Sequence, residues 1–242
     1  MDNGEGKPSW ISALQRVLRE ENATITQAII THWHHDHTGG QKDLLRVSPD
    51  TKVYKNTPDE GQLDIADGQR FQVEGASLRA VFSPGHTQDH MSLVLEEEDA
   101  MFTGDNVLGH GTAVFEFLDV YLKSLERMQR EFSGRAYPGH GPVVEDGPGK
   151  VREYVQHRKQ REEQVLQVLR SSKVAPGQER DSEAEEWTSM EIVKVVYKDV
   201  PEDLHLPANG GVMQILYKLE GEERVEENVE RGTWKMKRRA AL

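Results

Sequence analysis

The stretch "THWHHDHTGG", Thr31 to Gly40, sets four histidines and an aspartate within six consecutive positions, directly after the apolar run "AII". His32 and His34 are two apart, so on an extended backbone they project to one side, and a turn immediately after can swing Asp36 and His37 toward a neighbouring point. Imidazole nitrogens and a carboxylate in this pattern are metal-ligand chemistry, and one short loop can serve two ions. Two protein ligands per ion are too few for a tetrahedral site that keeps one position for water. Three other places supply candidates: His86 in "SPGHTQDH", Asp105 in "FTGDN" and His140 in "YPGHG". Each ends a predicted strand beside a glycine, namely Gly85, Gly104 or Gly139, which lets the chain bend sharply.

Taken singly, these three have plainer explanations. A histidine beside glycine is more often a loop or hydrogen-bonded core residue than a ligand, and Asp after Gly is ordinary turn composition. The interrupted "HxHxDH" between a strand and "TGG" is not a terminal tag, and the ordered recurrence of all four motifs argues against coincidence. Of the remaining histidines, His35 is expected to face solvent. His90, with Asp89, either supports a ligand or makes a structural hydrogen bond. His110 belongs at a pocket mouth, and His157 and His205 at the surface or in helix packing.

The elements that must position these residues alternate along the chain. Trp10, Ile11, Leu14, Val17 and Leu18 have helical spacing after Pro8. "ITQAIITH" reads as a buried strand, "GGQKDLLRV" as the helix after it, and "KVYKN" to "FTGD" as short strands with turns. Leu118, Leu122, Leu125, Met128 and Phe132 share a helical face, "RAYPGHG" is a short strand with a Gly-rich loop, and "VREYVQHRKQREEQVLQVLRS" is a further helix. The acidic, Pro- and Gly-containing stretch 173–186 reads as a linker, dividing a domain over 1–172 from a smaller one over 187–242.

Composition narrows the chemistry. A chain of 242 residues with 36% hydrophobic and 30% charged residues is long enough for one sizeable domain and an appendage. The absence of cysteine excludes disulfides, thiolate ligands and a cysteine nucleophile, so any metal is held by nitrogen and oxygen. A formal net charge of -12 argues against broad attraction to nucleic acid or anionic membrane. No apolar run is long enough to cross a bilayer, and "MDNGEGKPSW" lacks the pattern of a signal peptide, so a cytoplasmic location is the expectation.

In their order, "THWHHDHTGG", "PGHT", "TGD" and "YPGHG" resemble the metallo-β-lactamase superfamily, which implies an α+β fold, an αββα sandwich with a dinuclear metal site at one edge of its two sheets. By that resemblance His32, His34 and His86 would hold a first metal, Asp36, His37 and His140 a second, and Asp105 would bridge them. Zn2+ is the expected ion, with Mn2+ or Fe2+ also suited to a site without sulfur. "HTQDHMSLVLEEEDAMFTGDNVLGHGTAVFE", "SLERMQ", "GRAYPGHGPV" and "REYVQHRKQRE" resemble the lactamase-β-like branch, especially fungal thioesterases that release atrochrysone-type acids from the acyl carrier protein of non-reducing polyketide synthases. The segment from Trp187 is similar to the small winged-helix-like C-terminal unit of that branch.

That resemblance implies hydrolysis by a hydroxide between two metals about 3.5–4 Å apart, with Asp36 orienting it or accepting its proton. Two other functions stay open: a metal-dependent single-strand endoribonuclease, which the basic tail "TWKMKRRAAL" would suit, and an inactive or scaffold partner. The same tail would equally dock an acidic carrier protein. Only 31 residues precede His32, and "DNGEGKPSWI" resembles the turn that normally closes a hairpin-rich first sheet, so the first sheet is expected to be incomplete at the N-terminus. Phe117 stands where close relatives are expected to carry an acid.

Overall fold

A computed structural model describes residues 1–173 and 186–237, which fall into two compact units, Met1–Val155 and Gln156–Leu242. The expected linker therefore lies almost wholly outside the described residues, and the last five residues of the basic tail lie outside them too. The division between units falls within one long helix, α5 (Gly147–Arg170).

The first unit begins with α1 (Pro8–Glu20), which has Pro8 in its first turn, where the missing N–H costs nothing. Strand β1 (Gln27–Ile30) pairs in parallel with β2 (Lys52–Lys55), joined by the short helices α2 (His35–Thr38) and α3 (Gln41–Val47). The period-two alternation of a strand sends the two faces of this small sheet to different partners. Ala28, Ile30 and Val53 gather with Leu44, Trp10 and Leu14 of the helices, while Ile29 joins Phe71, Ala80, Met91 and Leu93 of the second sheet.

That second sheet has the order β3 (Arg70–Val73), β4 (Ala76–Phe82), β5 (Met91–Leu95), β6 (Ala100–Gly104) and β7 (Ala136–Pro138). Its first three pairings are antiparallel, and β6 and β7 run parallel. A parallel pair needs a crossover, which here contains α4 (Leu118–Met128). The expected apolar face of α4 and its exit, Leu118, Leu122, Leu125, Met128 and Phe132, is buried throughout. Ser92 of β5 donates a hydrogen bond to Met128 Sδ, which puts α4 on the outer face of the sheet. The layers are therefore helix, sheet, sheet, helix.

The first sheet contains two strands among the described residues. Beyond β2, Leu63 continues the pairing through Leu63 N–H to Val53 O and Lys55 N–H to Leu63 O. Beyond β1, the Asp2 N–H bonds to Ile29 O.

The second unit carries β8 (Trp187–Thr188), α6 (Ser189–Val196), α7 (His205–Gly221), β9 (Val225–Asn228) and β10 (Thr233–Met236), with the strands in the antiparallel order β8, β10, β9. Helix α6 opens on a capping box in which Thr188 Oγ1 accepts from Glu191 N–H while the Glu191 carboxylate accepts from Thr188 N–H. Ile192, Val193, Val212, Leu216, Leu219 and Trp234 are buried in this unit. The Glu162 carboxylate joins Lys218 and Arg224. Among the described residues no helix is long and apolar enough to cross a membrane.

Candidate metal centre

The seven residues singled out from the sequence come together at one edge of the two sheets, in two clusters that share Asp105: His32, His34, His86 and Asp105, and Asp36, His37, Asp105 and His140. Their positions follow from the connections. His32 and His34 leave the C-terminal end of β1, Asp105 follows β6, and His140 follows β7, so three of the four segments emerge from the same ends of parallel strands. The fourth is the loop from β4 to β5, which carries His86. His34 is the residue just before α2, and its carbonyl accepts from His37 N–H and Thr38 N–H. That single turn of helix brings Asp36 and His37 around to the second cluster.

In the first cluster His34 Nδ1 lies 3.0 Å from His32 Nε2 and 2.9 Å from His86 Nε2. The outer ring nitrogens are already committed. His86 Nδ1 donates to Val114 O at 2.9 Å, and a carbonyl can only accept, so His86 Nε2 is the bare nitrogen. His32 Nδ1 lies 2.9 Å from Thr31 Oγ1, whose own proton goes to Asp2 Oδ2, which leaves His32 Nε2 bare as well. Three imidazole nitrogens thus converge with at most one ring proton among them, an arrangement that a cation completes. Burial, followed by repulsion from the neighbouring imidazoles, drives His32 far below the ordinary histidine value. Burial also lowers His86.

In the second cluster His140 Nε2 is 2.9 Å from Asp36 Oδ2 and 3.4 Å from Asp105 Oδ2, and His37 Nε2 is 3.5 Å from both Asp36 Oδ2 and Asp105 Oδ1. His86 Nε2 lies 3.7 Å from Asp105 Oδ2, so Asp105 faces both groups. Burial pulls His37 down, but the carboxylates of Asp105 and Asp2 outweigh it and push the imidazole up to about 10. Burial raises Asp105, yet its histidine neighbours, His37 first, hold it below the ordinary carboxylate value.

The fit of this set to a divalent cation is tested by atoms left over. His37 Nε2 and Asp105 Oδ1 are buried and have no hydrogen-bond partner among the described residues, the very atoms that a ligand set would turn toward a metal. Nitrogen and oxygen donors without sulfur suit Zn2+, Mn2+ or Fe2+. At Gly139 a Cβ would come 2.3 Å from Asp105 Oδ1, so the loop carrying His140 approaches as closely as it does because that position is glycine.

Residues behind the clusters were less legible. Asp2, noticed in the sequence only as part of a turn, accepts from Thr31 N–H through Oδ1 and from His37 Nδ1, 3.0 Å away, through Oδ2. It thereby fixes the orientation of two ligand-bearing segments. His90 is fully buried, and its Nε2 accepts from Asp105 N–H at 3.1 Å, so it holds the Asp105 backbone in place. Burial, then repulsion from His86, lowers His90 to about 3, consistent with a neutral acceptor. Asp89 does not act with His90 but faces Lys55. His35 and His110 are exposed and belong to neither cluster, and His205 bonds to the Tyr197 and Val200 carbonyls.

The surroundings are apolar on one side and hollow on the other. Trp33 stands 55% exposed with its ring edge-on to His34, and Val114, whose carbonyl holds His86, is 71% exposed. A cavity of about 510 Å3 reaches Asp36, His37 and His140 and is lined also by Leu78, Phe102 and Tyr137.

Comparison with known proteins accords with this geometry. The Metallo-beta-lactamase superfamily model matches residues 8–66 and 53–140, and the Beta-lactamase associated winged helix domain matches 188–234. An Aspergillus niger protein named lactamase-like protein adaB is 45% identical over 230 residues, covering 93% of this chain and 72% of its own. An Aspergillus chevalieri protein named atrochrysone carboxyl ACP thioesterase is 47% identical over 228 residues, with the same shares. Among solved structures, a beta-lactamase domain protein from Burkholderia ambifaria superposes with a TM-score of 0.78 at 14% identity, covering 97% of this chain and 81% of its own. A metallo-beta-lactamase family protein from Thermus thermophilus gives 0.71 at 20% identity, covering 97% and 88%. At such identities these two structures speak to the fold.

Proposed function

The chain belongs to the metallo-beta-lactamase superfamily, and from that premise we propose that it is a dinuclear metal-dependent thioesterase that releases a polyketide carboxylic acid of the atrochrysone type from an acyl carrier protein. The observation that carries this reading is the 47% identity to a protein named as such a thioesterase, along 93% of the chain. Residues 1–172 would form the hydrolase domain, and 187–242 the winged-helix-like domain, a division that the match over 188–234 supports. A carrier protein bearing its acyl thioester is the partner this reading requires, met in the cytoplasm.

His32, His34 and His86 would hold one cation and Asp36, His37 and His140 the other, with Asp105 between them. Bound divalent cations would supply Lewis acidity, which lowers the pKa of a coordinated water from 15.7 to about 7 and polarises a carbonyl. The rest is work for this chain's own groups. Asp36, half-exposed beside His140, would orient the attacking water and take its proton. Asp2, Thr31 and the Val114 carbonyl fix the ring protons of His37, His32 and His86 on the far side of each imidazole. The Trp33 and Val114 side chains offer an apolar rim, and the cavity's volume lies in the range of small-molecule sites, about 300–1,000 Å3. A thioester suits such a site because its thiol, with a pKa near 8.5, leaves as thiolate without prior protonation.

The test is to incubate the full chain with an aryl thioester, an acyl-loaded carrier protein and labelled single-stranded RNA, each with and without chelator. Chelator-sensitive release of the acid from the carrier is the expected result. Cleavage of RNA alone would replace this reading with a nuclease, and inertness of the metal-loaded, folded protein would replace it with a scaffold.

A further inference from the structure

We infer that Lys55 and Asp89 form a strut that positions the His86 loop against the strand delivering His32 and His34, and that this strut sets the affinity of the first cluster for its metal. The inference rests on the metal-site reading above. Lys55 is the last residue of β2 and lies opposite Ile30 in the parallel ladder, two residues before His32. Asp89 lies in the loop between β4 and β5, three residues after His86 and next to His90. Lys55 Nζ and Asp89 Oδ2 are 2.7 Å apart, with both side chains almost completely buried.

The ammonium group donates to the Asn56 carbonyl at 3.1 Å and the Thr57 carbonyl at 2.8 Å, and its charge faces Asp89 Oδ2 as an ion pair. Thr57 takes up a φ of +54°, unusual for a threonine, within the turn that brings its carbonyl back onto the ammonium. On the other side, Asp89 Oδ1 accepts from Thr87 Oγ1 at 2.7 Å, and Thr87 O accepts from Gly85 N–H, so the carboxylate is tied into the loop that carries His86. His90, the next residue, holds Asp105 N–H. One ion pair therefore connects the segments bearing His32 and His34, His86, and, through His90, Asp105.

Stability alone is a poor account of such a pair. Taking two charges out of water costs several kcal/mol per ion, and well-packed apolar residues of similar volume often serve folding as well or better. What an apolar pair cannot supply is direction: an ammonium anchored by two backbone carbonyls fixes where the paired carboxylate sits, and the loop follows. Groups that orient metal ligands from behind are worth about 10- to 100-fold in metal affinity.

The experiment compares wild type, the apolar double variant Lys55→Met/Asp89→Leu, the single Asp89→Asn and the conservative Lys55→Arg, all full chain and stripped of metal. Thermal melting reports folding, and titration with Co2+ followed by its visible absorption reports each site. His86→Ala identifies which Co2+ equivalent belongs to the first cluster. The expected result is a double variant that melts close to wild type yet binds that equivalent at least tenfold more weakly, with Asp89→Asn weakened likewise and Lys55→Arg partly restored. Should the double variant fail to fold, Asp89→Asn, which keeps volume and a carbonyl for Thr87, carries the same comparison. Wild-type affinity in a folded double variant or in Asp89→Asn overturns the strut alone. A wild-type chain that takes up no Co2+ overturns the metal-site reading and the strut with it.

Discussion

His86 Nε2 and His34 Nδ1 stand 2.9 Å apart, although 52 residues separate them in the chain. Neither ring reaches there by local structure. His34 comes from the end of one sheet and His86 from a loop of the other, so this one distance reports that the two sheets are packed in the right register and that their edges present imidazoles to a common point.

Asp2 is expected to matter for metal retention well beyond its place near the chain end. It accepts from His37 Nδ1 and also bonds Thr31, which positions His32. Asp2→Asn should weaken metal binding by about 10- to 100-fold, read by competition with a chromophoric chelator. Unchanged affinity would mean that the His37 ring is oriented by its ligand partners alone.

Gly139→Ala should damage the second cluster most, because the new Cβ would meet His37 Cε1 at 3.0 Å and, at 2.3 Å, Asp105 Oδ1, the carboxylate oxygen that faces His37. Metal analysis should find the bound metal falling toward one equivalent, with a lower melting temperature. Gly210→Ala is the contrasting case. Its Cβ would meet nothing within 4 Å, in the interior of α7, so a gain of about 0.5–1 kcal/mol is expected.

Trp33 is exposed beside a ligand ring and is expected to touch substrate rather than metal. Aromatic pairing contributes about 0.5–1.5 kcal/mol beyond area, so Trp33→Ala should raise KM for an aryl thioester about two- to tenfold. Metal content and kcat should stay near wild type. A fall in kcat with constant KM would place Trp33 in support of His34 instead.

The capping box of α6 gives the second unit an acid-sensitive element. Burial raises Glu191, but Lys173 and Thr188 outweigh it and hold its carboxyl below the ordinary glutamate value. A carboxylate depressed in the folded state adds stability above its unfolded pKa, and that contribution is lost as pH falls through the folded value. Glu191→Gln should therefore melt earlier than wild type at neutral pH, and the two curves should converge on acidification below about pH 4. A constant gap across that range would show that the cap acts without its charge.

The sequence carried the strands, the helix faces and all seven clustered residues because those signals are local: alternation, 3.6-residue spacing, and histidines and aspartates written beside glycines at strand ends or packed into one short loop. It did not carry what those residues lean on. Lys55 lies in "KVYKN", which reads only as a short strand, and only the packing of two sheets puts it against Asp89. Asp2 reads as a turn residue, and Asp89 as a companion of His90, because nothing near them in the chain names their partners. The short helix α2 reads from sequence as a plain turn, since four residues offer no periodicity. The boundary between units likewise falls inside α5, where the helical pattern runs on without interruption.

Two clusters that share Asp105 should each hold one divalent cation. Calorimetric titration of the metal-stripped chain with Zn2+ tests this most directly, with His86→Ala and His140→Ala alongside. Two equivalents are expected in the wild type, and the loss of a different one in each variant. A wild type that binds fewer than two, or variants that lose the same one, would contradict it.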